Sequence, residues 1–292
     1  MRQCIITVPA STSNLGPGFD VMGAALNLFS YFTFEESDEL IIEGCPEEFR
    51  NEDNLVVKAY QYALEKLNLD YRPFKLSIAT DVPVSRGLGS SSTCVIAGVY
   101  AAMIMNWKHP DKQTIVNICT ELEGHPDNVA PAVMGGLVSG FNENGVIHTL
   151  SFPVSPLWRF VTIVPDYHVL THEARKIIKK DIHLNDAVYT TGHALAMIKA
   201  FETADEHLLS GACHDLLHEP YRKDMIRDYE PLRKLALDAG ACGYYISGSG
   251  SAMIAMTTSE DVMQNIKKSV KIHYPDFQVM DLKVCNEGSR AE

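Results

Sequence analysis

A glycine- and serine-rich segment follows a predicted strand and leads into an apolar helix. It runs from Pro83 to Thr93 and reads PVSRGLGSSST. Gly87 and Gly89 let the backbone adopt positive φ and approach a ligand closely. Serines at the start of the helix would leave several N–H groups unpaired and pointing one way, and such a terminus binds phosphate. An ordinary serine N-cap is the alternative, but two glycines and three serines in one turn favour a phosphate site.

Several other nucleotide-binding signatures are absent from the sequence. It has no GxxxxGK[ST] motif, so the segment is not a P-loop of the Walker type. It has no GxGxxG opening a βαβ unit, which argues against a dinucleotide site. It also lacks the HRD and DFG landmarks of protein kinases.

Composition restricts the remaining classes of function. The 292 residues carry 25 Lys and Arg against 37 Asp and Glu, a formal charge of −12, and 46% are apolar. That balance is typical of a folded globule and argues against a partner such as nucleic acid or an anionic membrane. The seven cysteines form no CxxC pair, and the N-terminus lacks the apolar core of a signal peptide. We therefore expect a soluble cytoplasmic protein with reduced thiols and no zinc site.

The elements that must position this segment alternate unevenly, which predicts an α+β fold. The patterns predict strands over 4–8, 26–35, 40–43, 74–80, 133–141, 159–164, 244–247, 252–257 and 277–284. They predict helices over 54–67, from the serine run to 105, and over 111–123, 174–180, 185–209, 229–239 and 261–274. Two prolines near 153–156 predict a domain boundary, which divides the chain into residues 1–155 and 156–292.

Three segments together resemble the motifs of the GHMP kinases, a family of small-molecule kinases. They are PASTSNLGPGFD at 9–20, the PVSRGLGSSST segment, and SGSGS at 247–251, in the family's order. The stretches EGHPDNVAPA at 123–132, THEAR at 171–175 and EPYR at 219–222 are most similar to the branch that phosphorylates homoserine. The resemblance implies a ribosomal-protein-like βα N-terminal domain, a ferredoxin-like C-terminal domain, and ligands in the cleft between them.

The resemblance also implies which residues hold ATP and Mg²⁺. The metal residues would be Ser91 and Glu123, with Glu121 as the rival carboxylate. Asn54 is a candidate nucleotide contact as well as a helix cap, and Arg86 adds a positive charge near the phosphates. The implied ATP-binding residues are Asn54, Pro83, Val84, Ser85, Arg86, Gly87, Leu88, Gly89, Ser90, Ser91, Ser92 and Thr93.

A homoserine molecule carries an ammonium, a carboxylate and a hydroxyl group. Carboxylates suit the first and arginine forks the second. By resemblance, Asp20 and Asp127 would meet the ammonium group, and Arg175 and Arg222 would meet the carboxylate with help from His125. The substrate-binding set implied in this way is Asn14, Asp20, His125, Asp127, Asn128, Arg175 and Arg222.

The implied catalytic residues are Asp127, Asn128, Thr171 and Arg175. Asn128 stands where mevalonate-type relatives carry a catalytic Asp, and an amide cannot act as a general base. Direct in-line transfer by positioning and charge stabilisation is therefore expected, with Asp127 as an alternative base. Thr171 would orient the transferring group.

Two other interpretations stay open at this point. One is another small-molecule kinase of the family, of the mevalonate-pathway type, and the other is a non-catalytic sensor on the same fold. The expected partners are ATP and L-homoserine, in threonine biosynthesis, with no nucleic acid and no membrane. A homodimer is the expected oligomeric state.

Overall fold

The computed structural model describes residues 3–292 and contains two β-sheets. The strands of the first sheet lie mostly before residue 153, and those of the second lie between 159 and 282. The first sheet consists of β1 (Gln3–Ser13), β2 (Met22–Glu36), β3 (Ile41–Glu43), β4 (Phe74–Thr80), β5 (Leu137–Glu143), β6 (Val146–Phe152) and β11 (Arg290–Ala291). The second consists of β7 (Arg159–Val164), β8 (Gly243–Ile246), β9 (Met253–Thr257) and β10 (Gln278–Leu282).

Strand β2 organises the first sheet because it is long enough to serve three partners. It pairs with β1 along its length, with β5 near its start and with β4 near its end, all antiparallel. The helices of this half are α1 (Leu55–Leu67), α2 (Ser90–Met105), α3 (Lys112–Glu123) and α4 (Val129–Met134). Helix α2 is buried over most of its surface, which explains why its sequence is apolar without helical periodicity.

The second sheet has the order β10-β7-β9-β8, with every described neighbouring pair antiparallel. Helices separate β7 from β8 and β9 from β10, which gives the βαββαβ order of a ferredoxin-like unit. The helices are α5 (Thr171–Lys176), α6 (Leu184–Thr203), α7 (Glu206–Ala212), α8 (Glu219–Arg222), α9 (Tyr229–Asp238) and α10 (Glu260–His273). The α+β class and the ferredoxin-like order are confirmed.

Several predicted elements differ from the observed ones. Residues 133–141 hold the end of α4 and the start of β5, because Gly135 and Gly136 take positive φ between them. The helix predicted over 185–209 is broken at Ala204 into α6 and α7. Strand β1 continues through Ser13 into a segment predicted as loop, and β6 was not predicted.

The chain returns to the first sheet at its end. Strand β11 pairs antiparallel with β1, opposite Ile6 and Thr7. The predicted domain boundary, between residues 155 and 156, lies between β6 and β7. It stays a prediction, because β11 lies after the boundary in the chain but belongs to the first sheet. Within residues 3–292, none of the helices combines the length and apolar character needed to cross a bilayer.

Helix α8 is short, and a buried carboxyl group attaches it to the second sheet. Oε1 of Glu219 accepts a hydrogen bond from the backbone N–H of Ile246 at 2.6 Å. Burial raises the pKa of the Glu219 carboxyl to about 8, although the Ile246 hydrogen bond works in the other direction. The folded protein therefore holds a proton on Glu219 over a pH range in which the unfolded chain has lost it.

We predict that Glu219→Gln flattens the pH dependence of stability. The amide keeps an oxygen for Ile246 but cannot ionise. In the wild type, the free energy of unfolding should fall as pH rises from the ordinary carboxyl value of 4.5 toward about 8. Thermal unfolding of both proteins from about pH 5 to about pH 9 measures this. Parallel curves over that range would contradict the prediction.

Candidate active site

The N-terminus of α2 is open toward a cavity. Gly89 precedes the helix with φ of 70°, and no side chain caps the terminus. Backbone N–H groups of the first turn are therefore free of a side-chain acceptor. A Cβ on Gly89 would lie 2.1 Å from Ser11 Oγ, and one on Gly87 would lie 2.1 Å from the Ser247 carbonyl oxygen. Only glycine permits this close approach of the loop to its neighbours.

Hydrogen bonds join the three motif segments. Ser247 Oγ donates to the carbonyl oxygen of Gly87 at 2.6 Å and lies 2.9 Å from Thr12 Oγ1. Asn14 Nδ2 donates to the Gly248 carbonyl oxygen at 3.1 Å. The end of β1, the phosphate-type loop and the turn between β8 and β9 thus form one wall, although they are separated widely in sequence.

The turn between β1 and β2 has an unusual backbone. Asn14, Leu15 and Asp20 have φ values of 69°, 50° and 58° without being glycine. Such conformations carry strain and are found where surrounding contacts enforce them, often at functional sites. Asn14 Oδ1 accepts from the backbone N–H of Asp20 at 3.0 Å, which fixes the position of the Asp20 carboxylate.

Asp20 and Arg175 join the two halves of the molecule across the cavity. Nη1 and Nη2 of Arg175 donate to Oδ2 and Oδ1 of Asp20 at 2.8 and 2.9 Å, a bidentate ion pair. Partial burial would raise the pKa of Asp20, but the Arg175 hydrogen bond and charge outweigh it, so that pKa lies below its ordinary value. The pKa of Arg175 is raised by the same pairing. Both groups are charged at neutral pH.

A second acidic group, Asp127, lies deeper in the cavity and is 2% exposed. Its Oδ1 is in a short contact with Nδ1 of His125 and accepts from Asn128 Nδ2 at 3.4 Å. Burial would lower the pKa of His125, but the Asp127 hydrogen bond and charge raise it overall. Asp20, His125 and Asp127 offer atoms within 4.8 Å of one another.

The amide of Asn128 is fixed in one orientation. Ser11 Oγ donates to Asn128 Oδ1 at 2.9 Å, and Asn128 Nδ2 donates to Ser13 Oγ at 3.0 Å. The two serines come from alternate positions at the end of β1, so they point to the same side of the strand. An amide held in this way presents dipoles and hydrogen-bonding groups, but it is not basic enough to act as a general base.

Arg222 is the second guanidinium at the cavity and is only 3% exposed. Its Nη1 donates to the Gly248 carbonyl oxygen at 2.9 Å, and its Nε donates to that of Ala174 at 3.3 Å. Burial, together with the positive charge of Arg175, lowers the pKa of Arg222 to about 10. It therefore remains charged at neutral pH, and the carboxylates of Asp20, Asp127 and Asp215 offset part of that lowering.

The two candidate metal carboxylates differ in their surroundings. Glu123 lines the cavity, and its Oε1 accepts from Ser91 Oγ at 2.5 Å. Glu121 instead bonds the hydroxyl of Tyr62 at 2.7 Å and the ammonium of Lys66 at 2.6 Å. A carboxylate beside a hydroxyl at the phosphate-type loop fits the oxygen ligands that Mg²⁺ prefers. The geometry thus favours Glu123 over Glu121.

Most residues predicted for the site line one cavity of about 190 Å³. That volume is below the range of about 300–1,000 Å³ typical of drug-sized ligands, so the cavity fits a small molecule. The lining residues are Ser13, Asn14, Asp20, Ser85, Gly87, Gly89, Ser90, Ser91, Ser92, Glu123, His125, Asp127, Asn128, Thr171, Arg175, Arg222, Gly248 and Ser249.

Six of the predicted ATP-binding residues are not among the described residues that line this cavity. They are Asn54, Pro83, Val84, Arg86, Leu88 and Thr93.

Arg86 differs from expectation. Its guanidinium donates to the carbonyl oxygens of Val84, Pro165 and Asp166, so its charge is not directed at the cavity. Arg86 instead links the glycine-serine loop to the segment that directly follows β7. The amide of Asn54 caps α1, bonding the N–H of Val56 at 2.9 Å and the carbonyl of Phe49 at 2.9 Å.

Comparison with known proteins shows which family has this arrangement. Family models for the GHMP kinases N terminal domain and the GHMP kinases C terminal match residues 54–136 and 197–276. The chain is 38% identical to the homoserine kinase of Clostridium beijerinckii over 97% of both chains, and 34% identical to that of a Clostridium botulinum strain over the same shares. The chain belongs to the GHMP kinases. This kinase is thus an ATP-dependent enzyme acting on a small molecule.

Solved structures agree with this assignment. The homoserine kinase of Cytophaga hutchinsonii superposes with a TM-score of 0.87 at 28% identity, covering 100% of this chain and 98% of that one. The mevalonate kinase of L. major, solved with R-mevalonate, superposes with a TM-score of 0.73 at 18% identity, covering 95% and 94%. At that identity the second likeness shows the fold alone.

Sequence reasoning assigned no role to Ser13, Gly248 and Ser249, which also line the cavity of the kinase. All three lie inside the quoted motifs, so proximity in the motif was the available signal. Ser249 Oγ lies 3.2 Å from Thr171 Oγ1, which brings the third motif and α5 together. Nothing in the sequence pattern indicated that contact.

We predict that Glu123→Gln lowers kcat by about a hundredfold or more, because the amide loses the charge that a bound Mg²⁺ needs. Glu121→Gln is the matched control, because Glu121 lies two positions before Glu123 on the same helix and bonds Tyr62 and Lys66. Its kcat should stay within about threefold of the wild type. Steady-state rates over a Mg²⁺ titration measure both, and equal losses would contradict the assignment.

Proposed function

We propose that this kinase transfers the γ-phosphoryl group of ATP to the side-chain hydroxyl of L-homoserine, giving O-phospho-L-homoserine and ADP. The curated relatives that share 34–38% of its sequence are named homoserine kinase. Such an enzyme serves threonine biosynthesis. The observation that carries the substrate assignment is the mixed charge of the enclosed cavity.

That cavity offers both charges of an α-amino acid a partner. Asp20 and Asp127 supply negative charge, and Arg175 and Arg222 supply positive charge. A substrate that brings a carboxylate without an ammonium would draw Arg175 away and leave Asp20 without a partner, whereas a neutral sugar offers no charge to either member of the Asp20–Arg175 pair. Because a buried unpaired charge is costly, the cavity selects a zwitterion.

The zwitterion can also replace an internal contact. In this structure Asp20 and Arg175 neutralise each other across the cavity. A bound amino acid would present its ammonium to Asp20 and its carboxylate to Arg175 and Arg222. One ion pair is then exchanged for two, so neither side chain is left unpaired when the original contact opens.

The phosphates of ATP are proposed to lie on the glycine-serine loop. The uncapped N-terminus of α2 supplies N–H donors and the positive end of the helix dipole. Ser91 and Glu123 would hold Mg²⁺, which would offset charge on the phosphates. Thr171 and Ser249 provide two neighbouring hydroxyl groups at the same cavity, which can orient the transferring group.

The proposed chemistry is direct in-line transfer. Asn128 has no basic group, and its amide is held by Ser11 and Ser13. A phosphoryl transfer with a loose transition state requires little assistance from a base, so positioning and charge stabilisation can supply most of the rate. Asp127 is the alternative proton acceptor, although its Oδ1 already contacts His125 and Asn128.

The proposed setting is the cytoplasm, where ATP is available. The structure describes all seven cysteines, and each is a free thiol. A homodimer is proposed as the oligomeric state, and light scattering on the purified protein would measure it.

Homoserine-dependent ADP release tests the proposal. A coupled assay should detect it with L-homoserine and ATP, and not with mevalonate, galactose or no acceptor. Release with mevalonate alone would favour the mevalonate-pathway type. No release with any acceptor, while ATP binds, would favour a non-catalytic sensor.

Under the same assay, Arg175→Ala should raise the KM for homoserine by about ten- to a hundredfold, because a charge-assisted bidentate contact is lost. The KM for ATP should change by less than about threefold, since Arg175 pairs with Asp20 and not with the loop at α2. Equal rises of both KM values would argue against a role in substrate recognition.

A further inference from the structure

One aromatic ring contacts three groups at the substrate end of the cavity. The ring of Phe19 stacks on the imidazole of His218, with centroids 5.2 Å apart and planes 22° apart. The guanidinium carbons of Arg175 and Arg222 lie 5.9 and 5.2 Å from its centroid. Both distances are within the range of cation–π attraction. Sequence analysis gave neither Phe19 nor His218 a role.

The buried imidazole is fixed by its own contacts. Nε2 of His218 lies 3.0 Å from the carbonyl oxygen of Gly16, so it carries the proton and donates. Burial lowers the pKa of His218, which keeps the ring neutral. Nδ1 is then an acceptor, 3.5 Å from Nη1 of Arg222. The imidazole therefore joins the turn that carries Phe19 to the helix that carries Arg222.

The two guanidiniums repel each other, and the carboxylates of Asp20 and Asp127 offset that repulsion in part. Burial, and after it the positive charge of Arg175, lowers the pKa of Arg222. In addition, Arg175 is drawn toward Asp20 by two hydrogen bonds. An electron-rich ring in contact with both guanidiniums offsets part of this repulsion.

We propose that Phe19, backed by His218, is a positioning residue that holds Arg175 and Arg222 at the spacing needed to bind one carboxylate together. This inference rests on the proposed function, because it concerns recognition of the carboxylate of the amino-acid substrate. Phe19 acts through the arginines and does not itself touch the reacting atoms. Its removal should weaken carboxylate recognition and leave ATP binding unchanged.

The test is a comparison of Phe19→Leu with Phe141→Leu. Phe141 stacks on His148 with centroids 5.1 Å apart and planes 19° apart, almost the geometry of the Phe19 stack, but Arg175 and Arg222 lie over the ring of Phe19 and not over that of Phe141. Phe19→Leu should raise the KM for homoserine about tenfold, with kcat and the KM for ATP within about twofold of the wild type. Phe141→Leu should leave all three unchanged.

A double-mutant cycle separates positioning from general packing. In an Arg175→Ala background, Phe19→Leu should raise the KM for homoserine by no more than about threefold, because only Arg222 remains to be placed. A full tenfold rise in both backgrounds, or a joint change in kcat and the KM for ATP, overturns the proposal. If Phe19→Leu does not fold, Phe19→Met replaces it, since the flexible thioether fills the space without an aromatic face.

The two proposals fail in different ways. A wild-type protein that releases no ADP with homoserine refutes the proposed function. An active wild type with an unchanged KM in Phe19→Leu refutes only the positioning role.

Discussion

The site depends on the contact of three chain segments at the open end of one helix. Ser247 bonds both Thr12 and the carbonyl of Gly87, so the end of β1, the glycine-serine loop and the turn after β8 have a common anchor. Small residues are required there, since a Cβ at Gly87 or Gly89 would overlap neighbouring atoms. The same compactness leaves the α2 N-terminus without a side-chain cap, and the uncapped donors can bind a phosphate. The close packing of the three segments and the phosphate-binding character of the helix terminus therefore depend on the same small residues.

The Asp20–Arg175 pair connects this wall to the second sheet. Asp20 lies in the strained turn between β1 and β2, and Arg175 lies on α5. Because the pair is bidentate and only partly exposed, it spans the cavity without leaving either charge unpaired. A zwitterionic substrate offers the same complementary charges, so opening the pair carries a small electrostatic penalty for that class of molecule and a larger one for others. The net charge of −12 has no part in this selection, since it is carried largely by other residues.

The sequence predicted the class of fold and the phosphate-type loop from their own patterns, and the resemblance to the GHMP kinase motifs implied most of the residues that line the cavity. It did not predict contacts that depend on the meeting of distant segments. The direction of the Arg86 guanidinium, for example, is set by carbonyl oxygens 79 and 80 positions away. The contacts of Glu121 with Tyr62 and Lys66, which belong to another helix, were likewise not predicted; they add to the preference for Glu123 that the motif resemblance already implied. The break between α4 and β5 follows from two glycines at positive φ, which the strand-like pattern concealed.

In the proposed reaction, the substrate replaces the Asp20–Arg175 contact with its own contacts to these two residues. A crystal structure with L-homoserine and a non-hydrolysable ATP analogue tests it directly. We expect Arg175 to leave Asp20, the ammonium to lie on Asp20 and the carboxylate to lie between Arg175 and Arg222. Homoserine bound with the 2.8 Å contact between Arg175 Nη1 and Asp20 Oδ2 intact would contradict the account.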